Sequence, residues 1–139
     1  MKTEILNLLL AIPLYYMPDE NIEAFARAGN GDKEAPEMLF CFELDEDLYS
    51  SFEPDRKKFF SNRIFGGISS PEPAGLELPR GNYLFAQERE LLDRDALSDM
   101  AAEIQLEGLW QRLKPGKKLY LRYLFEDGKT VSQLFRPLF

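Results

Sequence analysis

Histidine is missing from the 139 residues altogether, and cysteine appears once, as Cys41. Without histidine there is no Ser-His or Cys-His nucleophile and no histidine-ligated zinc site. With one thiol there is neither an internal disulfide framework nor a thiolate metal cluster. Only carboxylate, tyrosine or lysine chemistry is left, no metal or cofactor is implied, and a reducing compartment fits. Long apolar runs are also lacking: the stretch from Ile5 to Met17 falls short of the roughly 20 residues that a spanning helix needs. Its flank, Met1-Lys2-Thr3-Glu4, mixes one lysine with one acid, and no small-x-small cleavage site follows. It therefore reads neither as a membrane span nor as a signal peptide, and the expected location is cytoplasmic.

The residues that are present describe one folded domain over residues 1–139. Hydrophobic residues make up 45% and charged ones 29%, enough apolar mass at this length to build a core without staples. The net charge of −7, from 24 acids against 17 bases, would repel a phosphate backbone unless the bases were segregated. Lys57-Lys58 and Lys117-Lys118 are short pairs that read as exposed strand ends, so no direct nucleic acid binding is expected.

Taken in order, residues 5–17 suggest a strand that ends or lies at a sheet edge near Pro13, because proline suits neither a helix interior nor a central strand. Asp19 then caps a short helix stopped by Gly29, and Asn30 to Pro36 is loop. Met38, Phe40, Phe42 and Leu44 alternate with Leu39, Cys41 and Glu43, a second strand with one wholly apolar face. Asp45 to Pro54 reads as a polar connection and Lys57 to Phe65 as a third strand closed by Gly66-Gly67. Ser69 to Gly75 is loop, and Asn82 to Gln87, after Pro79-Arg80-Gly81, is a fourth strand. A long helix runs from Asp93 or Asp95 to Lys114, stopped by Pro115-Gly116, with Leu97, Met100, Ala101 and Ile104 on one face and Glu103, Glu107 and Gln111 outward. Trp110, on the continuing stripe, reads as core, with a ligand platform as the alternative.

The chain then closes on a hairpin. Lys117 to Phe125 and Thr130 to Phe139 flank Asp127-Gly128, a dipeptide suited to the positive dihedrals of a primed turn. That tip sets Leu124 against Val131, Arg122 against Gln133 and Tyr120 against Phe135, leaving Leu121, Tyr123, Phe125 and Leu134 on the other face. Both faces are apolar, so both are covered or one lines a cavity. Arg122 would then stand in a cavity wall or stack on Tyr120 with its head in water.

The derived order, β-α-β-β-β-α-β-β, consists of two βαββ-like halves: an α+β fold with an antiparallel sheet and a cleft between the halves. Leu78-Pro79-Arg80-Gly81-Asn82-Tyr83, Tyr120-Leu121-Arg122-Tyr123 and Leu134-Phe135-Arg136-Pro137-Leu138 are similar to the Pro-x-Gly-x-Tyr, aromatic-Glu-x-Tyr and aromatic-x-Pro strands of one family. On these residues, with Gly66-Gly67 ahead of them, the chain resembles the GyrI-like small-molecule-binding domains, the effector-binding domains of multidrug-responsive transcription activators. It departs from them in a shorter first helix, in having no preceding helix-turn-helix, and in Leu121, which occupies the place of the family's cation-binding glutamate.

The first expectation is a stand-alone ligand-binding module with an aromatic-lined cleft bounded by Tyr83, Trp110, Tyr120, Arg122 and Tyr123, in which Arg122 favours an anionic or polar small-molecule ligand. The resemblance also implies two alternatives. One is a carboxylate-dependent hydrolase, with Glu43 and Glu77 as the catalytic candidates by strand position. The other is an acidic protein that binds or inhibits a protein partner.

Overall fold

The computed structural model describes residues 3–16, 37–69 and 75–139. Among them, β1 (Glu4–Leu8), β2 (Ile12–Tyr16), β3 (Met38–Glu43) and α1 (Glu46–Tyr49) precede β4 (Arg63–Ser69) and β5 (Leu76–Leu78). Then come β6 (Gly81–Glu88), α2 (Arg94–Trp110), β7 (Lys118–Glu126) and β8 (Lys129–Pro137). The helix expected after Asp19 and the loop to Pro36 lie outside the described residues.

The strands form one sheet, ordered β1-β6-β8-β7-β3-β4-β2-β5, and each pair is antiparallel. Its two ends are tied together. β1 pairs with β6 down to Leu8 opposite Gly81, and pairing resumes with Ile12 of β2 opposite Leu78 of β5. Residues 9–11 thus face residues 79–80, three against two, a bulge-like mismatch that bends both strands. Each half contributes one bent strand to this ribbon, and the halves meet again where Phe40 of β3 faces Leu121 of β7. Among the described residues β4 pairs with this strand only from Leu14 on, so Pro13 has β5 as its one described neighbour, an arrangement that suits proline.

Alternation along these strands builds two cores. On the helix side Phe40, Phe42, Leu121, Tyr123 and Leu134 pack with Leu97, Met100, Ala101 and Ile104 of α2. Inside the curve, Leu39, Cys41, Tyr83, Tyr120 and Phe135 meet Leu14 and Leu78. At about 1.5–3 kcal/mol for each fully buried large apolar side chain, both layers are major contributors to stability. The closing hairpin has the expected register, with Leu124 opposite Val131, Arg122 opposite Gln133 and Tyr120 opposite Phe135. At its tip Asp127 and Gly128 have φ of 50° and 76°.

Several local expectations need correction. Asp45 to Pro54 is not merely a connection but contains α1, which seats Leu48 in the core. Arg56–Lys58 forms a 3-10 turn and the following strand starts only at Arg63, carrying Gly66 and Gly67 inside it. Trp110 is not core: it is 74% exposed at the end of α2, edge-on to Phe52. Helix α2 rotates its stripe there, because the buried position goes to Gln105 instead.

Gln105 is buried to serve Arg136. The Arg136 side chain is fully buried on the helix side of β8. Its Nε donates to the Gly116 carbonyl (2.7 Å), Nη1 to Gln105 Oε1 (2.9 Å) and Nη2 to the Tyr49 carbonyl (3.1 Å). Gln105 Nε2 donates in turn to the carbonyls of Leu48 and Ser51, at 2.8 and 2.7 Å. Burial lowers the guanidinium pKa to about 9, still above neutrality, so the group stays charged. One cation thereby joins β8, α2, α1 and the approach to β7.

Arg136→Met should lower the unfolding free energy by about 2–4 kcal/mol, since each orphaned buried acceptor costs about 1–3 kcal/mol. Gln105→Leu, which leaves the buried cation short of an acceptor, should cost at least as much; urea midpoints measure both. At Gly108 an added Cβ would lie 2.4 Å from Leu84 Cδ1 and 3.2 Å from Pro115 Cγ, and Leu84 is itself fully buried. Gly108→Ala should therefore destabilise by about 1–2 kcal/mol in the same assay, overriding its gain of about 1 kcal/mol in helix propensity.

Candidate functional site

Inside the curve the side chains fill the space: Leu39, Cys41, Tyr120 and Phe135 are all buried. The open volume lies at one end of it, where β6 and β7 begin and α2 and β8 finish. There a cavity of about 730 Å³ is lined by Tyr83 and Tyr120, with Leu109, Leu113, Pro79 and Leu138 among its apolar walls.

Local chain geometry opens it. Helix α2 ends in a Schellman-type cap, with the Arg112 N–H donating to the Leu109 carbonyl and the Leu113 N–H to the Gly108 carbonyl. Arg112 takes the left-handed conformation, φ 59°, and Leu113 turns back onto the cavity wall. Pro115-Gly116 thus follows the stop rather than making it. The Gly116 N–H donates to the Pro137 carbonyl, the Leu138 N–H to Asn82 and the Phe139 N–H to Lys114, fastening residues 137–139 along one side.

The aromatic floor is ordered by edge-on contacts. Tyr83 stands 6.3 Å from Tyr120 and 5.8 Å from Phe135, at interplanar angles of 81° and 85°. The Tyr83 hydroxyl donates to the Pro79 carbonyl. Burial pushes the Tyr83 pKa up to about 12, helped by Cys41 and Glu77, and burial likewise raises that of Tyr120 above the ordinary range. Both rings therefore stay neutral at physiological pH. Beneath them the Cys41 thiol is pushed up to about 11, chiefly by burial, while Lys118 pulls it the other way and Tyr120 hydrogen-bonds to it.

Of the residues singled out in the sequence, Tyr83, Tyr120 and Glu43 line the cavity. Glu43 is exposed on its wall, opposite Lys118 across the β3–β7 pair. Glu77 is exposed on β5 opposite Pro13 and is not among the lining residues. Arg122 faces the inner side, two residues beyond Tyr120, and its Nη2 meets Glu37 Oε2 at 2.5 Å. Its charge is thus met by a carboxylate rather than held in water. Tyr123 packs on the helix side, edge-on to Phe40. Leu121 also faces the helix layer, so the inner wall at this point is made by Tyr120 and Arg122. Sequence reasoning missed Leu109, Leu113 and the basic residues of the Pro79–Gly81 and Lys114–Lys118 turns. The available signal was the proline-glycine punctuation, which marks loops, and loops carry sites.

No family model matches this chain, and no curated protein does. Among solved structures it is similar to that of SAV2435 bound to tetraphenylphosphonium, with a TM-score of 0.54. The alignment covers 100% of this chain and 94% of that one at 10% identity. The two proteins share a fold. At that identity the side chains of the site are this protein's own, and it is the lining of the cavity that bears on function.

Because Cys41 is buried and its thiol held near pKa 11, the thiolate population at pH 8 should be roughly 100-fold below that of an ordinary cysteine. Alkylation by iodoacetamide under native conditions should be slower by at least that factor and should recover on unfolding in urea, as followed by intact mass.

Proposed function

We propose that this chain is a small-molecule-binding module of the GyrI-like kind, with its ligand seated in the cavity against Tyr83 and Tyr120. The observation that carries the reading is the cavity itself: about 730 Å³ is within the size range of ligand sites, and its walls combine aromatic rings and leucines with a few polar groups at the edge. The shared fold with a protein solved around a bound aromatic ion supports it. Tyr83 and Tyr120 are held by packing and hydrogen bonds before any ligand arrives, so little ordering cost attends binding. Arg122 and Tyr123 support the sheet that carries these rings, and Trp110 stands outside the cavity. The hydrolase reading would rest on Glu43 alone, since Glu77 is not among the residues that line the cavity.

A thermal-shift screen of drug-sized aromatic acids, cations and neutral compounds tests this, with Leu109→Trp as a variant that fills the cavity from its half-buried wall. At least one class should stabilise the protein, by about 2.7 kcal/mol at a hundredfold excess over Kd. Leu109→Trp should keep the unliganded melting temperature and lose that response. No stabilisation by any class, or an undiminished response in Leu109→Trp, would reject the proposal.

A further inference from the structure

We infer that the cavity selects organic anions: a lipophilic, aromatic or alicyclic body bearing a carboxylate, sulfonate or comparable negative group. The inference rests on the cavity being the ligand site and adds the sign of the ligand's charge.

Four basic side chains stand at the cavity: Arg80, from the turn between β5 and β6, and Lys114, Lys117 and Lys118, from the segment between α2 and β7. The acidic side chain among the lining residues is that of Glu43. On a chain of net charge −7 this reverses the prevailing sign. Some cations elsewhere are paired or hydrogen-bonded. Arg56 is paired with Asp99 at 2.8 Å and Arg122 with Glu37, and Arg94 donates to the Phe60 carbonyl at 2.7 Å. Among the described residues, no side-chain carboxylate lies within ion-pairing distance of Arg80, Lys114, Lys117 or Lys118. Lys117 instead places its Nζ 5.9 Å from the centre of the Tyr49 ring.

Two contributions oppose this positive field. The C-terminus of α2 points toward the cavity with about half a negative charge. Its Glu107, Gly108 and Leu109 carbonyls, however, already accept from the N–H groups of Gln111, Leu113 and Arg112, which consumes much of that potential. Glu43 stands across the strand pair from Lys118 and offsets one cation. Three positive side-chain charges remain, and two if Phe139, which lines the same cavity, ends in a free carboxylate; they cluster at an apolar opening where the low-dielectric wall focuses their field. A lipophilic cation would enter against that field, whereas an anion would place its apolar body on the tyrosines and its charge among the lysines.

Tetraphenylborate and tetraphenylphosphonium make a matched test, being nearly the same in size and shape and opposite in charge. Titration calorimetry of the whole chain in sodium buffer at low ionic strength should give at least a roughly tenfold tighter Kd for the borate, as expected for a few partly screened charges. That advantage should shrink as sodium chloride is raised through 0.5 M, where the Debye length falls to roughly 4 Å. In Arg80→Gln/Lys117→Gln/Lys118→Gln, all exposed positions, the preference should drop to within about threefold. Should that variant misfold, the salt dependence of the unaltered protein decides the matter. Equal affinities, or tighter binding of the phosphonium, would overturn the anion assignment and leave the ligand site standing. Binding of neither ion, together with an empty thermal-shift screen, would overturn both.

Discussion

Arg136 carries its charge into the helix-side core and meets it there with two backbone carbonyls and the Gln105 amide, and the placement of the neighbouring elements depends on that arrangement. Among the described residues no carboxylate neutralises it. Taking a cation out of water costs several kcal/mol, and the charge-assisted hydrogen bonds offset that cost only if Gly116, Tyr49 and Gln105 are all in position. The requirement therefore acts as a geometric specification. It sets where α1 ends, how deep α2 lies on the sheet, and where the chain turns into β7. Tyr49 and Gly116 both border the cavity, so the guanidinium beneath them also fixes the cavity's outline.

Closure of the sheet works with this constraint. Because two bent strands serve as both ends of the strand order, the curve is tight enough for Leu14, Leu78 and Phe135 to fill its inside. Open space is thereby displaced from the middle toward one end, where the bends at Pro79–Gly81 and the departure of the chain from α2 leave room. Apolar walls come from strands and helix, while the charges come from the turns. That division follows from solvation: backbone turns sit at the surface, where lysine and arginine heads remain in water while their stems cover apolar wall.

Much of the fold was legible because it depends on local rules. Asp127-Gly128 set the hairpin register, since its turn geometry admits few alternatives. The strict alternation from Met38 to Leu44 predicted a strand, and the acids before Leu97 predicted the start of α2, where Asp93 accepts the Ala96 N–H. Trp110 was misread for a physical reason. Periodicity ranks residues by hydrophobicity, but Gln105 is buried by its hydrogen bonds to Arg136, Leu48 and Ser51, and Trp110 is carried outward on the same helix in consequence. Of the cavity, the two tyrosines of the floor, Tyr83 and Tyr120, had been singled out in the sequence and the walls had not. Leu113 lines the cavity because Arg112 adopts a left-handed cap, an arrangement that a non-glycine residue does not announce.

By itself, then, the amino-acid sequence excluded histidine-dependent chemistry and an internal disulfide, through the missing histidine and lone cysteine, and determined the α+β class and the pairing of the last two strands. These follow from side-chain inventory and from interactions between residues near one another in the chain. The tertiary structure alone decided that Arg122 would be met by Glu37, that Leu121 would face the helices, and that the open volume would lie at the end of the curve beside Arg80 and Lys114 to Lys118. Each of these depends on which distant strand or turn becomes a neighbour. That choice is made by closing the sheet and burying Arg136, not by any local propensity.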